Sequence, residues 1–123
     1  MDTVLICVAP NDHPSVYDFF INSLQDQGWD LLIIPVTEIA TDNIEGVAAV
    51  LAYAVNWPKE SLHGWLSDTR QAIGPRRRMV ALLPRPPHSY PDETQILWNE
   101  SLGYGAEITS IVSIVRNFIS GRI

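Results

Sequence analysis

The sequence predicts an α/β domain in which a doubly wound parallel sheet of four or five strands is covered by helices on both faces. Three observations lead there. Four apolar runs, Thr3 to Ala9, Asp30 to Pro35, Gly46 to Val55 and Arg78 to Pro84, are continuous instead of alternating, the pattern of strands buried on both faces. Amphipathic stretches separate or follow them. The length of 123 residues, with 46% hydrophobic and 18% charged, suits one packed domain over residues 1–123 with a core of its own.

The elements follow in order. The first strand centres on Val4-Leu5-Ile6-Cys7-Val8. After it Val16, Phe19, Phe20 and Leu24 fall at helical spacing, with Pro14 suited to the first turn and Gly28 to a left-handed terminus. The second strand is Leu31-Leu32-Ile33-Ile34. From Val36 to Glu45 there is room for only a turn or two of helix, so the second crossover is abbreviated. The third strand centres on Ala48 to Ala52, and Leu62, Trp65, Leu66, Thr69 and Ile73 then share one helical face, stopped by Gly74 and Pro75. Met79 to Leu83 form the fourth strand. Arg85 to Glu93 reads as a proline-stiffened surface loop, and Thr94 to Trp98 as a fifth, edge strand, although a short helix through Leu102 fits the same residues. Ile108, Ile111, Val112, Val115, Phe118 and Ile119 give a final amphipathic helix closed by Gly121. Right-handed crossovers then make a flavodoxin-like sheet of order 2-1-3-4-5 the economical architecture.

Charge narrows the partners. A formal net charge of -6 repels nucleic-acid phosphates and anionic lipid, so neither nucleic acid nor membrane is an expected partner. Five basic residues, Arg70, Arg76, Arg77, Arg78 and Arg85, fall close together, which raises an anion or nucleic-acid patch, or an acidic protein partner. Geometry favours a solvated turn: Arg76 to Arg78 enter the fourth strand from its amino end, where they complement the C-terminus of the second helix. The lone cysteine, Cys7, sits in an apolar run and reads as buried filler, with a reducing compartment implied. The opening has no basic region before its apolar stretch, and no run approaches the roughly 20 apolar residues that span a bilayer. A cytoplasmic location is the expectation.

In open α/β sheets ligands bind beyond the carboxyl ends of the strands. This selects Asn11, Asp12 and His13 after the first strand, Thr37 and Glu38 after the second, Asn56 and Trp57 after the third, and Arg85, His88 and Tyr90 after the fourth. The first loop, Ala9 to Pro14, holds no glycine, so its backbone cannot wrap a pyrophosphate, and no cofactor is expected. No paired-cysteine or His-x-x-x-His spacing occurs, and no metal site is expected. Asp12 beside His13 offers an acid/base couple, but Asn11 or Asp12 also reads as a cap for the first helix, and Asn56 as a cap for the second. Trp65 falls on the apolar face as core, whereas Trp57, beside a proline in a loop, reads as an exposed anchor for a protein interface.

Two family resemblances attach to these residues. The run Val4-Leu5-Ile6-Cys7-Val8-Ala9-Pro10-Asn11-Asp12, followed by Val16 to Leu24 and Gly28, resembles the opening of a TIR (Toll/interleukin-1 receptor) domain. The segment from Asn56 through Ser61, Trp65, Asp68 and Ala72 is similar to it as well. TIR domains that cleave NAD carry Ser-x-Trp-x-x-x-Glu; here Thr69 stands at the place of the Glu. The resemblance implies that any catalysis would fall to Asp68, with Trp65 structural. The segment Ala54-Val55-Asn56-Trp57-Pro58 and the later Gly105-Ala106-Glu107 resemble a response-regulator receiver, in which Ala54 takes the phospho-acceptor place, Val8-Ala9-Pro10 the place of an acidic metal-binding pair, and no lysine follows Ala106. That resemblance implies a degenerate, non-phosphorylated pseudo-receiver. Both imply a signalling module that binds proteins, copies of itself included, and the leading expectation is a divergent TIR-like module without strong catalysis.

Overall fold

The structure, a computed structural model, describes residues 2–121 apart from Pro14, Val16, Thr41, Asp42 and Tyr104, and of Phe19 and Phe20 the backbone alone. The expectation for Pro14 and for the apolar spacing of Val16, Phe19 and Phe20 therefore lies outside the described residues. Five strands, β1 (Thr3–Val8), β2 (Asp30–Pro35), β3 (Val47–Tyr53), β4 (Met79–Leu83) and β5 (Glu100–Gly103), form a parallel sheet in the order 2-1-3-4-5. Four α-helices, α1 (Asp18–Gln25), α2 (Lys59–Ile73), the single turn α3 (Asp92–Gln95) and α4 (Ile108–Ser120), connect or follow them. This is the flavodoxin-like doubly wound sheet that the apolar runs predict.

The continuous runs work because the pleat divides them. Along β1, Leu5 and Cys7 point into a core beneath α2, while Val4, Ile6 and Val8 point into a second core beneath α1 and α4. The same alternation splits Met79, Ala81 and Leu83 from Val80 and Leu82 in β4. A side-chain period of two thus feeds two cores from one uninterrupted apolar segment. Each helix answers with one stripe: Ile21 and Leu24 from α1, Ile111, Val112, Val115 and Phe118 from α4, and Leu62, Leu66 and Ile73 from α2. Thr69, buried on the same face of α2, satisfies its hydroxyl by donating to the Trp65 carbonyl at 2.7 Å. The left-handed Gly121 (φ 73°) closes α4 at the predicted place.

The second crossover is short, as expected: a 3-10 turn over Val36–Glu38, with the fully buried Ile44 filling the core beneath α2. The fifth strand needs correction. Thr94 to Trp98 is not a strand. Pro91 opens the single turn of α3, with Asp92 and Glu93 in its first turn, an arrangement that proline and acidic residues favour at a helix start. The helical alternative holds only as far as Gln95, because the chain then pairs with β4 from Glu100. Asn99 fixes that register. Its N–H donates to the Met79 carbonyl at 2.9 Å, and its Oδ1 accepts the Met79 N–H at 2.8 Å. Glu-Ser-Leu-Gly has little strand preference of its own, so tertiary pairing decides.

The arginine-rich stretch binds backbone carbonyls. Arg70 donates to the carbonyls of Leu97 (3.0 Å), Gly74 (3.1 Å) and Arg77 (2.7 Å) and to Asn99 Oδ1 (2.9 Å). Arg77 donates to the carbonyls of Ile73 (2.9 Å) and Val47 (3.2 Å). Together they satisfy the end of α2, as the expected complement to its C-terminus, and tie it to the starts of β3 and β5. Arg70→Ala should lower stability by about 2–4 kcal/mol, because several charged donors leave carbonyls unpaired, whereas exposed Arg76→Ala should stay within about 0.5 kcal/mol in urea unfolding.

Cys7 is fully buried, and burial pushes its thiol far above the ordinary range. Native protein should leave Cys7 unreactive toward a thiol reagent until it is denatured. The unfolded thiol ionises near ~8.5, so above that pH the unfolded chain sheds a proton that the native chain retains, and stability should fall as pH rises through this value.

Candidate functional site

Because all five strands are parallel, their carboxyl ends share one edge of the sheet, and the loops leaving β1, β3 and β4 meet there. Asp12 is the hub of the first loop. Its Oδ2 accepts the Ala9 N–H at 3.2 Å, and its Oδ1 accepts the Asn56 Nδ2–H at 3.0 Å across the gap from β1 to β3. Sequence selected both residues but gave them helix-capping roles. The structure corrects this: α1 begins at Asp18 behind Tyr17, α2 behind Pro58, and neither helix has a side-chain cap. Asp12 instead closes its own loop on the Ala9 N–H and joins it to the next through the Asn56 side chain. The carboxylates of Asp12 and Asp18 add to burial in pushing the Tyr17 phenol upward.

His13 does not pair with Asp12. Its Nδ1 accepts the Ser15 N–H at 3.2 Å and meets the Ser15 hydroxyl at 2.8 Å, so the two side chains of the proposed acid/base couple are bonded to different groups. Asn11 is exposed in the same loop. Thr37 and Glu38 are exposed in the 3-10 turn after β2, where the Glu38 carbonyl accepts the Asn43 side chain at 3.0 Å.

Trp57 is not the exposed anchor expected. It is 3% exposed, packed edge to face against Trp65 with ring centroids 5.5 Å apart, and its Nε1–H has no hydrogen-bond partner among the described residues. Pro58 turns the chain into α2 and carries the indole inward, so a loop position gives a core residue. At the end of β3, the place preceding Asn56 by two is Ala54, fully buried, with its N–H donating to the Leu82 carbonyl at 3.0 Å.

The loop after β4 is the other concentration of predicted residues. Arg85, Ser89 and Tyr90 form one wall of a cavity of about 240 Å³, and Lys59, Leu62 and His63 from α2 form the wall opposite. His63 Nδ1 and the buried Thr94 hydroxyl lie 2.8 Å apart and join the walls at the third side. Tyr90 stacks edge to face on Trp98 at 6.2 Å; burial raises its phenol and the Arg85 charge works against that rise. His88 is exposed on the 3-10 turn Pro87–Ser89 and does not line the cavity. Lys59, His63 and Thr94 escaped sequence selection. Lys59, Leu62 and His63 at i, i+3 and i+4 from a strand-end proline were the available signal.

Asp68 stands apart from both clusters. It is exposed on α2, nine residues beyond Lys59 and hence roughly 14 Å along the helix axis from the rim. Among the described residues no three His, Cys, Asp or Glu side chains are grouped to hold a metal ion, and no helix is long and apolar enough to cross a membrane. Asp12→Ala should cost about 1 kcal/mol by releasing the Ala9 and Asn56 donors, and a double-mutant cycle with Asn56→Ala should return a coupling of about 0.5–1 kcal/mol. A cycle that closes to zero would remove Asp12 as the link between the loops.

No protein-family model matches the chain, and no curated relative matches it. Solved structures do. A response regulator receiver domain protein from Clostridium thermocellum superposes with a TM-score of 0.77 at 17% identity, covering 99% of this chain and 97% of that one. The receiver domain of a Francisella response regulator gives 0.75 at 10% identity over 100% of both chains. A protein named for pilus assembly, from Burkholderia thailandensis, gives 0.70 at 12% identity over 98% of this chain and 99% of that one. Identities this low establish the fold. Of the two resemblances read from sequence, the comparisons support the receiver, and nothing among them supports TIR; the chain has the receiver-like, CheY-like α/β fold.

Proposed function

We propose that the chain is a pseudo-receiver, a signalling module with the receiver architecture that acts by binding protein and accepts no phosphoryl group. One observation carries the reading: the residue in the phospho-acceptor place at the end of β3 is Ala54, a fully buried methyl group. The neighbouring groups agree. The only carboxylate in the loop after β1, Asp12, is engaged by Ala9 and Asn56, and the strand ends in Val8-Ala9-Pro10 without an acidic pair. A receiver needs a carboxylate nucleophile and a metal to neutralise the phosphoryl oxygens; on this reading the acceptor place holds an alanine and the end of β1 offers no acidic pair for the metal.

What remains for recognition is shape and charge at the rim. The loops after β1 and β4 and the exposed Ile96, 79% accessible, are the surface this reading gives to a partner, a second copy of the chain included. Asp68 has no role in it.

Incubation with acetyl phosphate and magnesium should leave the intact mass unchanged, under conditions that phosphorylate a receiver carrying an acidic residue at the corresponding place. A phosphoryl adduct would overturn the reading. Incubation with NAD should likewise release no nicotinamide. Turnover abolished by Asp68→Ala would replace the pseudo-receiver with a TIR-type hydrolase.

A further inference from the structure

The cavity between α2 and the loop after β4 has a chemistry that the pseudo-receiver reading leaves unspecified. Its two cations, Lys59 and Arg85, come from opposite walls and neither makes a hydrogen bond or ion pair to a described residue. By contrast, Arg70 and Arg77 hold carbonyls at the amino edge, and Arg116 donates to Gln27. In a chain of net charge -6, two open cations facing one cavity are a local reversal of sign. Leu62, Tyr90 and Pro91 give the same cavity an apolar lining, and Thr94 with His63 closes its third side.

The volume and exposure choose the class of occupant. About 240 Å³ lies below the ~300–1,000 Å³ of pockets that enclose drug-sized ligands. Lys59, Arg85 and Ser89 are exposed, so the cavity is a notch in the surface that takes one side chain. Tyr90 and Pro91, half-buried and exposed respectively, give the notch an apolar side for a second contact.

We infer that this notch docks an acidic segment of a partner protein, a Glu or Asp carboxylate entering between Lys59 and Arg85 while a neighbouring apolar residue packs on Tyr90 and Pro91. The inference deepens the protein-binding reading by naming the partner's chemistry. Glu93 is the single acidic residue lining the notch, and it gives the site a sign that mutation can read. Removing a cation weakens docking, and removing Glu93 strengthens it.

The minimal probe is the dipeptide N-acetyl-Glu-Leu-amide, titrated into ¹⁵N-labelled full-length protein. Its Gln-Leu analogue and succinate serve as the other arms. The Glu peptide should shift the amides of Lys59, His63 and Thr94 saturably, more weakly as salt rises. Arg85→Ala and Lys59→Gln should each weaken it about threefold to fivefold, Glu93→Gln should tighten it, and Arg76→Ala should change nothing. The site is overturned by the absence of saturable shifts, by equal binding of the Gln analogue, or by Glu93→Gln weakening the complex. Succinate binding as tightly as the peptide would make the notch a small-anion site instead. Each of these failures leaves the phosphoryl test of the pseudo-receiver reading standing on its own.

Discussion

The interior of β1 and β3 admits no chemistry, and much of the molecule follows from that. Val4, Leu5, Ile6 and Cys7 are all fully buried, with sheet neighbours on both sides and helices above and below. A charge placed there would lose its hydration with nothing to replace it. Polar function is therefore pushed to the ends of the strands. The two ends have been used differently.

At the amino edge, two arginines are structural. Arg70 and Arg77 lie where α2 ends and β3, β4 and β5 begin, so carbonyls without helical or ladder partners surround them. Burial lowers the Arg70 guanidinium from its ordinary range, yet its donors are filled by protein oxygens. At the carboxyl edge the corresponding backbone groups are already used within turns, and Lys59 and Arg85 face open space. Arg70 and Arg77 thus hold the fold together at one edge, while Lys59 and Arg85 line a cavity at the other, and the difference lies in which carbonyls are near.

This contrast also marks what sequence could tell. The sheet order, the short second crossover and the stripe of α4 were legible because a period of two feeding two cores, or of 3.6 feeding one, leaves its signature in consecutive residues. The rim was legible as a place, since strand ends are visible. Its pairings were not. Asp12 and Asn56 lie 44 positions apart, and their bond depends on β1 and β3 being neighbours at matched height. His63 and Thr94 are 31 apart and meet only because α3 folds back onto α2. Trp57 misled for a related reason: a proline-flanked loop residue reads as exposed until the direction of the following helix is known. β5 was misplaced by a few residues because Ile96-Leu97-Trp98 is more strand-like than Glu100-Ser101-Leu102-Gly103, while Asn99 and Arg70 hold the register at the latter.

Under the proposed function, the sealed end of β3 changes how such a module would be regulated. A phosphorylated receiver is switched by adding charge at one point, and a two-state surface elsewhere responds. Here the point is the methyl group of Ala54, and Asp12, the carboxylate of the loop after β1, is already bonded on both oxygens. No covalent event at that place is available to bias one conformation over another. A ligand shifts a protein only through its differential affinity, so the remaining lever is the partner itself, acting by concentration on whichever rim conformation it binds. On that reading a rim held by the Asp12–Asn56 bond on one side, with a cationic notch on the other, fits that kind of control: occupancy set by partner abundance and ionic strength instead of by phosphate.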